Sequence, residues 1–269
     1  MVTYSTPNNL VELLNKVLKA ASHTGFYKTD VHAIKTLEEY AQINPVSLKT
    51  YREQKLSDLL VEHSTIDWIT RAFRDTNLGL ASIVENPDQT ESRYELLSDA
   101  LKQSIDINQK PIAVAISSLQ KIGFAAEIST ILMSLGISTH LISYTQKELI
   151  NKFINITQPQ LIVLLSEHIS EDDLPNTVEL CITFRQSHTM AQIPQLDMYL
   201  VDEIGFMAHS NDGRNYIPYK DVFYFEQSVE DYLIVSSLNN FTKPLVRIKT
   251  ADKIDYIDNV LKFKRLGPA

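Results

Sequence analysis

The chain has 269 residues, 44 % of them hydrophobic and 7 of them glycine, enough apolar mass for a sizeable core but under half the roughly 7 % average glycine usage. Gly205 and Gly213, eight positions apart, are the closest glycine pair, which excludes a G-x-G-x-x-G dinucleotide turn and a G-x-x-x-x-G-K phosphate loop. Lys and Arg number 25 against 33 Asp and Glu, a net charge of -8 with no run of like charge, so nucleic acid and anionic membranes are not expected partners.

The N-terminal sequence MVTYSTPNNLVELLNK lacks a charged start followed by an apolar stretch, so no export signal is expected. Leu10, Leu13, Leu14, Val17, Leu18 and Ala21 recur at helical spacing and predict a helix over 9–23, capped by Asn8 or Asn9. A second helix is predicted over 36–43. Pro45, Val46, Ser47 and Leu48 interrupt the pattern, and a polar helix is expected over 50–62. Residues 1–110 therefore read as a helical, irregular N-terminal part.

The middle differs in kind. PIAVAISS (111–118) and THLISY (139–144) read as buried strands, and the segment between them as a helix ended by Gly136, which makes a β-α-β unit. A helix over 145–157 and strands over 160–166 and 178–184 continue it, so an α/β fold with a parallel sheet and flanking helices is expected over 111–204. The longest apolar run, about Leu161 to Leu165, falls far short of the roughly 20 residues that cross a bilayer. Cys181, the single cysteine, alternates with apolar neighbours and reads as a buried thiol; with no internal disulfide possible, a reducing cytoplasm is the expected location. Ser117 and Ser118 end a strand at the sheet edge where open α/β folds bind ligands, but no G-x-S-x-G surrounds them.

From about 205 short strands are predicted over 222–227, 231–238 and 244–250, with Asp212-Gly213 as a turn. They make a small antiparallel β subdomain over 205–269, the third part of one compact module, and the aromatics of VFYFEQ read as sheet core. The seven histidines show neither H-x-x-x-H spacing nor companion cysteines, so no tightly bound metal is expected. His209 reads either as a ligand contact or as part of a surface turn.

Three stretches carry a resemblance. LNKVLKAASHTGFYKTDVHAIKTLEEYAQINPVSLKTYREQ (14–54) has a helix, an FY before a basic residue, a second helix and then Pro45 and Lys49; YLVDEIG occupies 199–205; and DYLIVSSLNNFTKPLVRIKTADKI occupies 231–254. In this order they resemble the phenylacetate–CoA ligase-like branch of the adenylate-forming enzymes, which includes acyl-protein synthetases. The resemblance covers nearly the whole chain, as a shortened N-terminal domain. It implies that Tyr199 lines the adenine site and that Glu203 holds magnesium at the phosphates, with Asp202 in place of a hydroxyl residue and Leu200 in place of glycine. Arg247, Thr250 and Asp252 match the second motif, in which the aspartate binds the ribose hydroxyls. Thr76, Asn77 and Gly79 are what remains of the Ser/Thr/Gly phosphate loop, and Ser117, Ser118, Phe124 and His209 fall where the acid pocket would be.

The chemistry suits these residue types. A carboxylate attacking ATP needs cationic help at the phosphates, and one aspartate can accept from both hydroxyls of a ribose diol. The implied ligands are thus ATP or AMP, transient magnesium at Glu203 and a small carboxylic acid. Yet the loop over 74–90 has lost its lysine, Phe184, Arg185, Gln186 and Ser187 stand where a G-A/G-E segment is expected, Pro194 disrupts the helix expected before Tyr199, and FKRLGPA falls near the family's interdomain hinge. Losing two donors to a phosphate, at roughly 1.5 to 3 kcal/mol each, lowers affinity by about 10² to 10⁴. Two functions stay open: a ligase-like protein that binds or activates a carboxylic acid in a biosynthetic pathway, with a partner supplying the missing C-terminal lobe and a protein partner or carrier protein to work with, or a catalytically inactive pseudo-enzyme acting as a binding or scaffold subunit. Without the resemblance, Asp202 and Glu203 read as solvated acids at a helix start, and Arg247 with Asp252 as an ion pair at a turn.

Overall fold

A computed structural model describes residues 6–28, 31–62, 68–73, 80–118, 121–143, 147–165, 169, 171–184 and 192–265. Helix α1 (Leu10–Ala21) buries Leu10, Leu14, Val17, Leu18 and Ala21, the stripe its spacing predicts. Helix α2 (Leu37–Ala41) starts at Thr36, whose hydroxyl accepts from the Glu39 amide. Strand β1 (Val46–Ser47) precedes α3 (Leu48–Arg52), which Ser47 caps in the same way. The polar helix expected over 50–62 is instead two short ones, α3 and α4 (Leu56–Leu59): the chain turns extended at Leu60 so that the Val61 amide can reach the Thr242 carbonyl, 3.0 Å away.

Strands β2 (Trp68–Phe73) and β3 (Leu80–Glu85) then pair antiparallel, from Trp68 opposite Glu85 to Phe73 opposite Leu80, in a stretch for which the sequence reading names no strand. Helix α5 (Pro87–Ser104) follows with a full capping box between Asn86 and Gln89 and a proline at its start. The buried Arg93 guanidinium on α5 pairs with Glu85 of β3 at 2.8 Å and with Glu127, fixing the hairpin to the body of the protein.

The parallel core runs β4 (Ile112–Ser117), α6 (Ile122–Ser134), β5 (Ser138–Ile142), α7 (Lys147–Thr157), β6 (Leu161–Leu165) and β7 (Leu180–Phe184), within one to three residues of the expected bounds. Gly136 takes a left-handed conformation (φ +82) just beyond α6, and the Ile137 amide bonds back to the Leu132 carbonyl at 3.0 Å. Alternation on the strands separates two cores: Ala113, Ala115 and Val163 face the side of α6, while Val114, Ile116, Ile162, Leu164 and Cys181 face α7. Cys181 is fully buried as expected, and burial pushes its thiol up to about 12.

Beyond β7 lie β8 (Gln195–Val201), β9 (Gly205–Ser210), β10 (Asn215–Pro218), β11 (Phe223–Gln227), β12 (Tyr232–Ser237), β13 (Ile248–Ile257) and β14 (Val260–Arg265). One sheet of 12 strands results, in the order β11-β12-β13-β14-β10-β9-β8-β7-β6-β4-β5 with β1 alongside β13. It is parallel from β5 to β8 and antiparallel from β8 to β11, with β1 parallel to β13. Strand β10 links the two halves of the sheet, β9 to β5 and β14 to β11: Asn215 and Tyr216 pair with β14, and Ile217 and Pro218 pair with β9. The strand expected over 244–250 begins only at Ile248, because Arg247 sits in the left-handed region (φ 46) and breaks the extended run. Phe223 and Phe225 are buried, as the reading of VFYFEQ as sheet core requires. Among the described residues no helix is long and apolar enough to cross a membrane.

Candidate functional site

Strand β8 sits where the parallel and antiparallel blocks meet, and its alternate residues point into that seam. Asp197, fully buried, accepts from the Thr183 hydroxyl on β7 at 2.6 Å and from the Tyr216 hydroxyl on β10. Two residues further on, Tyr199 donates its hydroxyl to the buried Asp252 carboxylate on β13. Phe263 of β14 packs against both tyrosine rings, with centroids 4.5 Å from Tyr199 and 5.0 Å from Tyr216. The two residues that the resemblance assigns to adenine and ribose are thus in direct contact. A carboxylate has about four lone-pair directions and can accept from the hydroxyls of a ribose diol, so the chemistry of Asp252 is of the kind that ligand needs. A ribose entering here has to share or displace the Tyr199 hydroxyl.

The turn after β8 carries the acids. It is a tight strand-to-strand connection, closed by the Ile204 amide on the Val201 carbonyl at 2.9 Å, and the solvated helix start is not what forms. Gly205 continues it at φ +101, and a Cβ there would stand 3.2 Å from the Ile83 side chain. Asp202 and Glu203 are both buried. Arg52, the last residue of α3, grips both Glu203 oxygens, through Nε at 2.7 Å and Nη2 at 3.1 Å. Lys121, at the start of α6, pairs with Asp202 at 2.5 Å. Lys243 is buried with its ammonium 5.2 Å from the Tyr51 ring centre; burial holds its amine down at about 8 while the Glu203 carboxylate acts in the opposite direction. Burial and nearby acidic groups, Glu203 among them, push the Tyr51 phenol well up.

This donor set does not fit the magnesium role that the resemblance gives Glu203. Both of its oxygens already face a guanidinium, and a divalent cation there would stand against Arg52 and Lys243. Among the described residues no group of three or more His, Cys, Asp or Glu is arranged to hold a metal ion.

The other residues are elsewhere. Arg247 forms a bidentate pair with Glu226, at 3.0 and 3.1 Å, and donates to the carbonyls of Ala41 and Ile43, so it pins the end of α2 to β11 and is not the partner of Asp252 suggested by the ion-pair reading. Thr250 donates to the Leu233 carbonyl at 3.2 Å. The Ser117 hydroxyl donates to the Ser118 carbonyl at 2.7 Å, and Phe124 is buried against Phe206, a core contact. His209 is not in a surface turn: it lies buried on β9, stacked on Tyr219 at 5.6 Å, and burial holds its imidazole down at about 4. Thr76, Asn77 and Gly79 lie outside the described residues, between β2 and β3. Open grooves lie away from the seam, one of about 640 Å³ along α5 and one of about 390 Å³ beside α1.

The sequence motifs did not single out Arg52, Lys121 or Lys243. Arg52 and Lys243 stand inside quoted motifs, but their burial depends on α3 docking against the loop after β12. That loop is held by Asn240, whose side chain accepts from the Lys243 amide at 2.8 Å and donates to the Val84 carbonyl at 3.2 Å.

No protein-family model matches the sequence, and no curated protein matches it. Solved structures do match the fold. A 2-hydroxyisobutyryl-CoA ligase in complex with 2-HIB-AMP and CoA, in the thioesterification state, superposes with a TM-score of 0.72 over 91 % of this chain at 12 % identity. The chain spans 62 % of that ligase's length. An open conformation of the ligase gives 0.70 over 94 % of this chain and 67 % of its own, at 10 % identity. A malonyl-CoA ligase bound to methylmalonyl-CoA and AMP gives 0.51 over 75 % of this chain and 53 % of its own, at 11 % identity. Over the part they share, the chain has the fold of the adenylate-forming CoA ligases.

Proposed function

We propose that this chain binds an adenine nucleotide together with a small carboxylic acid, as the large lobe of an adenylate-forming-ligase-like protein serving a biosynthetic pathway. The contact between Tyr199 and Asp252 carries the reading: 53 positions apart, they meet at the seam of a fold whose matched ligases were solved with AMP or an acyl-AMP. In this reading Tyr199 contacts the adenine, Asp252 accepts from the ribose, and Ser117 and Ser118, at the C-terminal end of β4, border the acid. A second reading, a non-catalytic binding or scaffold subunit, is favoured by the engagement of Glu203 with Arg52, which removes the carboxylate from metal chemistry.

Calorimetric titration with AMP and with ATP tests both. AMP binds, and Asp252→Asn weakens it by at least about tenfold, roughly 1.4 kcal/mol. No heat with either nucleotide at millimolar concentration overturns the nucleotide site. AMP binding without ATP-dependent pyrophosphate exchange selects the non-catalytic reading.

A further inference from the structure

We propose that the open edge of the sheet at β5 pairs antiparallel with β5 of a second copy of this chain, joining two sheets about a two-fold axis at His140. The surface is independent of the nucleotide reading, whose residues lie at the far side of the parallel block. Strand β5 ends the strand order and pairs with β4 in unbroken register from Ser138 to Ile142, so among the described residues no strand meets the backbone N–H and C=O groups of its other side. Edges of this kind are ordinarily defended by a lysine, a proline or a bulge, and β5 contains none of them.

The charge around the edge selects the occupant. Asp, Glu, Lys and Arg make up 22 % of the chain, yet from Ile122 to Gln146 the only one is Glu127, which is buried against Arg93. On α7, Lys147 pairs with Asp173 at 2.8 Å, and the exposed Glu148 and Lys152 are of opposite sign. Of the eight large hydrophobic side chains exposed among the described residues, four lie on these three consecutive elements: Met133 on α6, Leu141 on β5, and Leu149 and Ile156 on α7. A chain of net charge -8 repels its own copies over much of its surface, and this uncharged band is where two of them meet without like charges; a strongly acidic or basic partner finds no counter-charge on it. The pleat then fixes the register. The His140 ring lies 5.7 Å from that of Phe153 on α7, and Ile142 packs on the same side, so Thr139 and Leu141 face α6. A two-fold axis perpendicular to the sheet keeps each face on its own side, and opposed residues share a face, so the axis has to pass at a residue. At His140 all five residues of β5 find a partner, Ser138 opposite Ile142 and Thr139 opposite Leu141, whereas an axis at Thr139 or Leu141 pairs three. Because Phe153 lies level with His140, the same axis turns Leu149 of one copy toward Ile156 of the other.

Sedimentation velocity of the full chain and cysteine crosslinking test the pairing. At concentrations up to on the order of 100 μM the unaltered chain sediments with the mass of two chains, and Leu141→Lys, a change at an exposed position, weakens association by about tenfold or more with an unchanged circular dichroism spectrum. Under mild oxidation His140→Cys forms a covalent dimer, because opposed Cα atoms of an antiparallel pair stand about 4.5 to 5.5 Å apart, within disulfide reach. Ser138→Cys does not, since its two copies lie four positions from each other along the pair, roughly 13 Å. Cys181 is buried and gives no background. If His140→Cys fails to fold, sedimentation of the unaltered chain and of Leu141→Lys still decides. A monomer throughout that range, a dimer indifferent to Leu141→Lys, or Ser138→Cys crosslinking as readily as His140→Cys overturns the proposal.

Discussion

Tyr199 shows how one side chain can serve both a fold and a ligand. Its ring packs on Phe263 at 4.5 Å, and its hydroxyl satisfies a carboxylate that would otherwise lack that donor inside the protein. Tyr199→Phe keeps the ring and removes the donor, so unfolding in urea should give a loss of about 1.5 to 3 kcal/mol with an unchanged m value. A loss below about 0.5 kcal/mol would mean that Asp252 is satisfied without the tyrosine. The sequence names Asp252 and Tyr199 separately, each through a motif with its own spacing, and gives no sign that the two touch. Arg247 was legible as a residue but not as a role: its partners, Glu226 and the carbonyls of Ala41 and Ile43, lie 21 and more than 200 positions away, and no local pattern encodes them. Lys243 was invisible for a related reason, since a lysine beside a proline reads as solvated until Tyr51 is packed over it.

At the scale of elements, conformation at single joints decides where helices stop. Gly136 at φ +82 has nothing within 4 Å of the position its Cβ would take, so Gly136→Ala tests backbone strain without steric collision. It should cost about 1 kcal/mol by thermal or urea unfolding, and a stabilised variant would show that α6 can end another way. The β-α-β units could be read closely because their strands are unbroken apolar runs and their helices end at a recognisable glycine. Helix α5 was missed although Asn86, Pro87 and Gln89 signal its start: its buried face begins with Gln89 and Arg93, polar residues satisfied by Asn239 and Glu85, and the apolar period appears only at Leu97, Ala100 and Leu101. Strand β8 escaped for the same cause, since Asp197 in mid-strand is acceptable only because Thr183 and Tyr216 reach it from neighbouring strands.

At the scale of the molecule, β10 pairs through two residues with β9 and through two with β14, a narrow connection between the two halves of the sheet. Other bonds widen it: Tyr199 to Asp252, Tyr216 to Asp197, and Phe263 against both rings. The blocks should therefore unfold together. Trp68, the one tryptophan, lies on the β2–β3 hairpin, and its fluorescence should follow the same urea transition as far-ultraviolet circular dichroism. Separated midpoints would show that the hairpin unfolds apart from the large sheet. The first sixty residues find their partners late in the chain: Val46 pairs with Ile248, Tyr40 with Ser236, the Val246 amide with the Tyr27 hydroxyl, and Arg52 with Glu203. During synthesis at about 5 to 20 residues per second, α1 to α4 emerge on the order of ten to forty seconds before the strands that receive them. Helices α1 to α4 are thus made well before the strands on which they seat, and a translating ribosome carries them without their dock while the residues between are added.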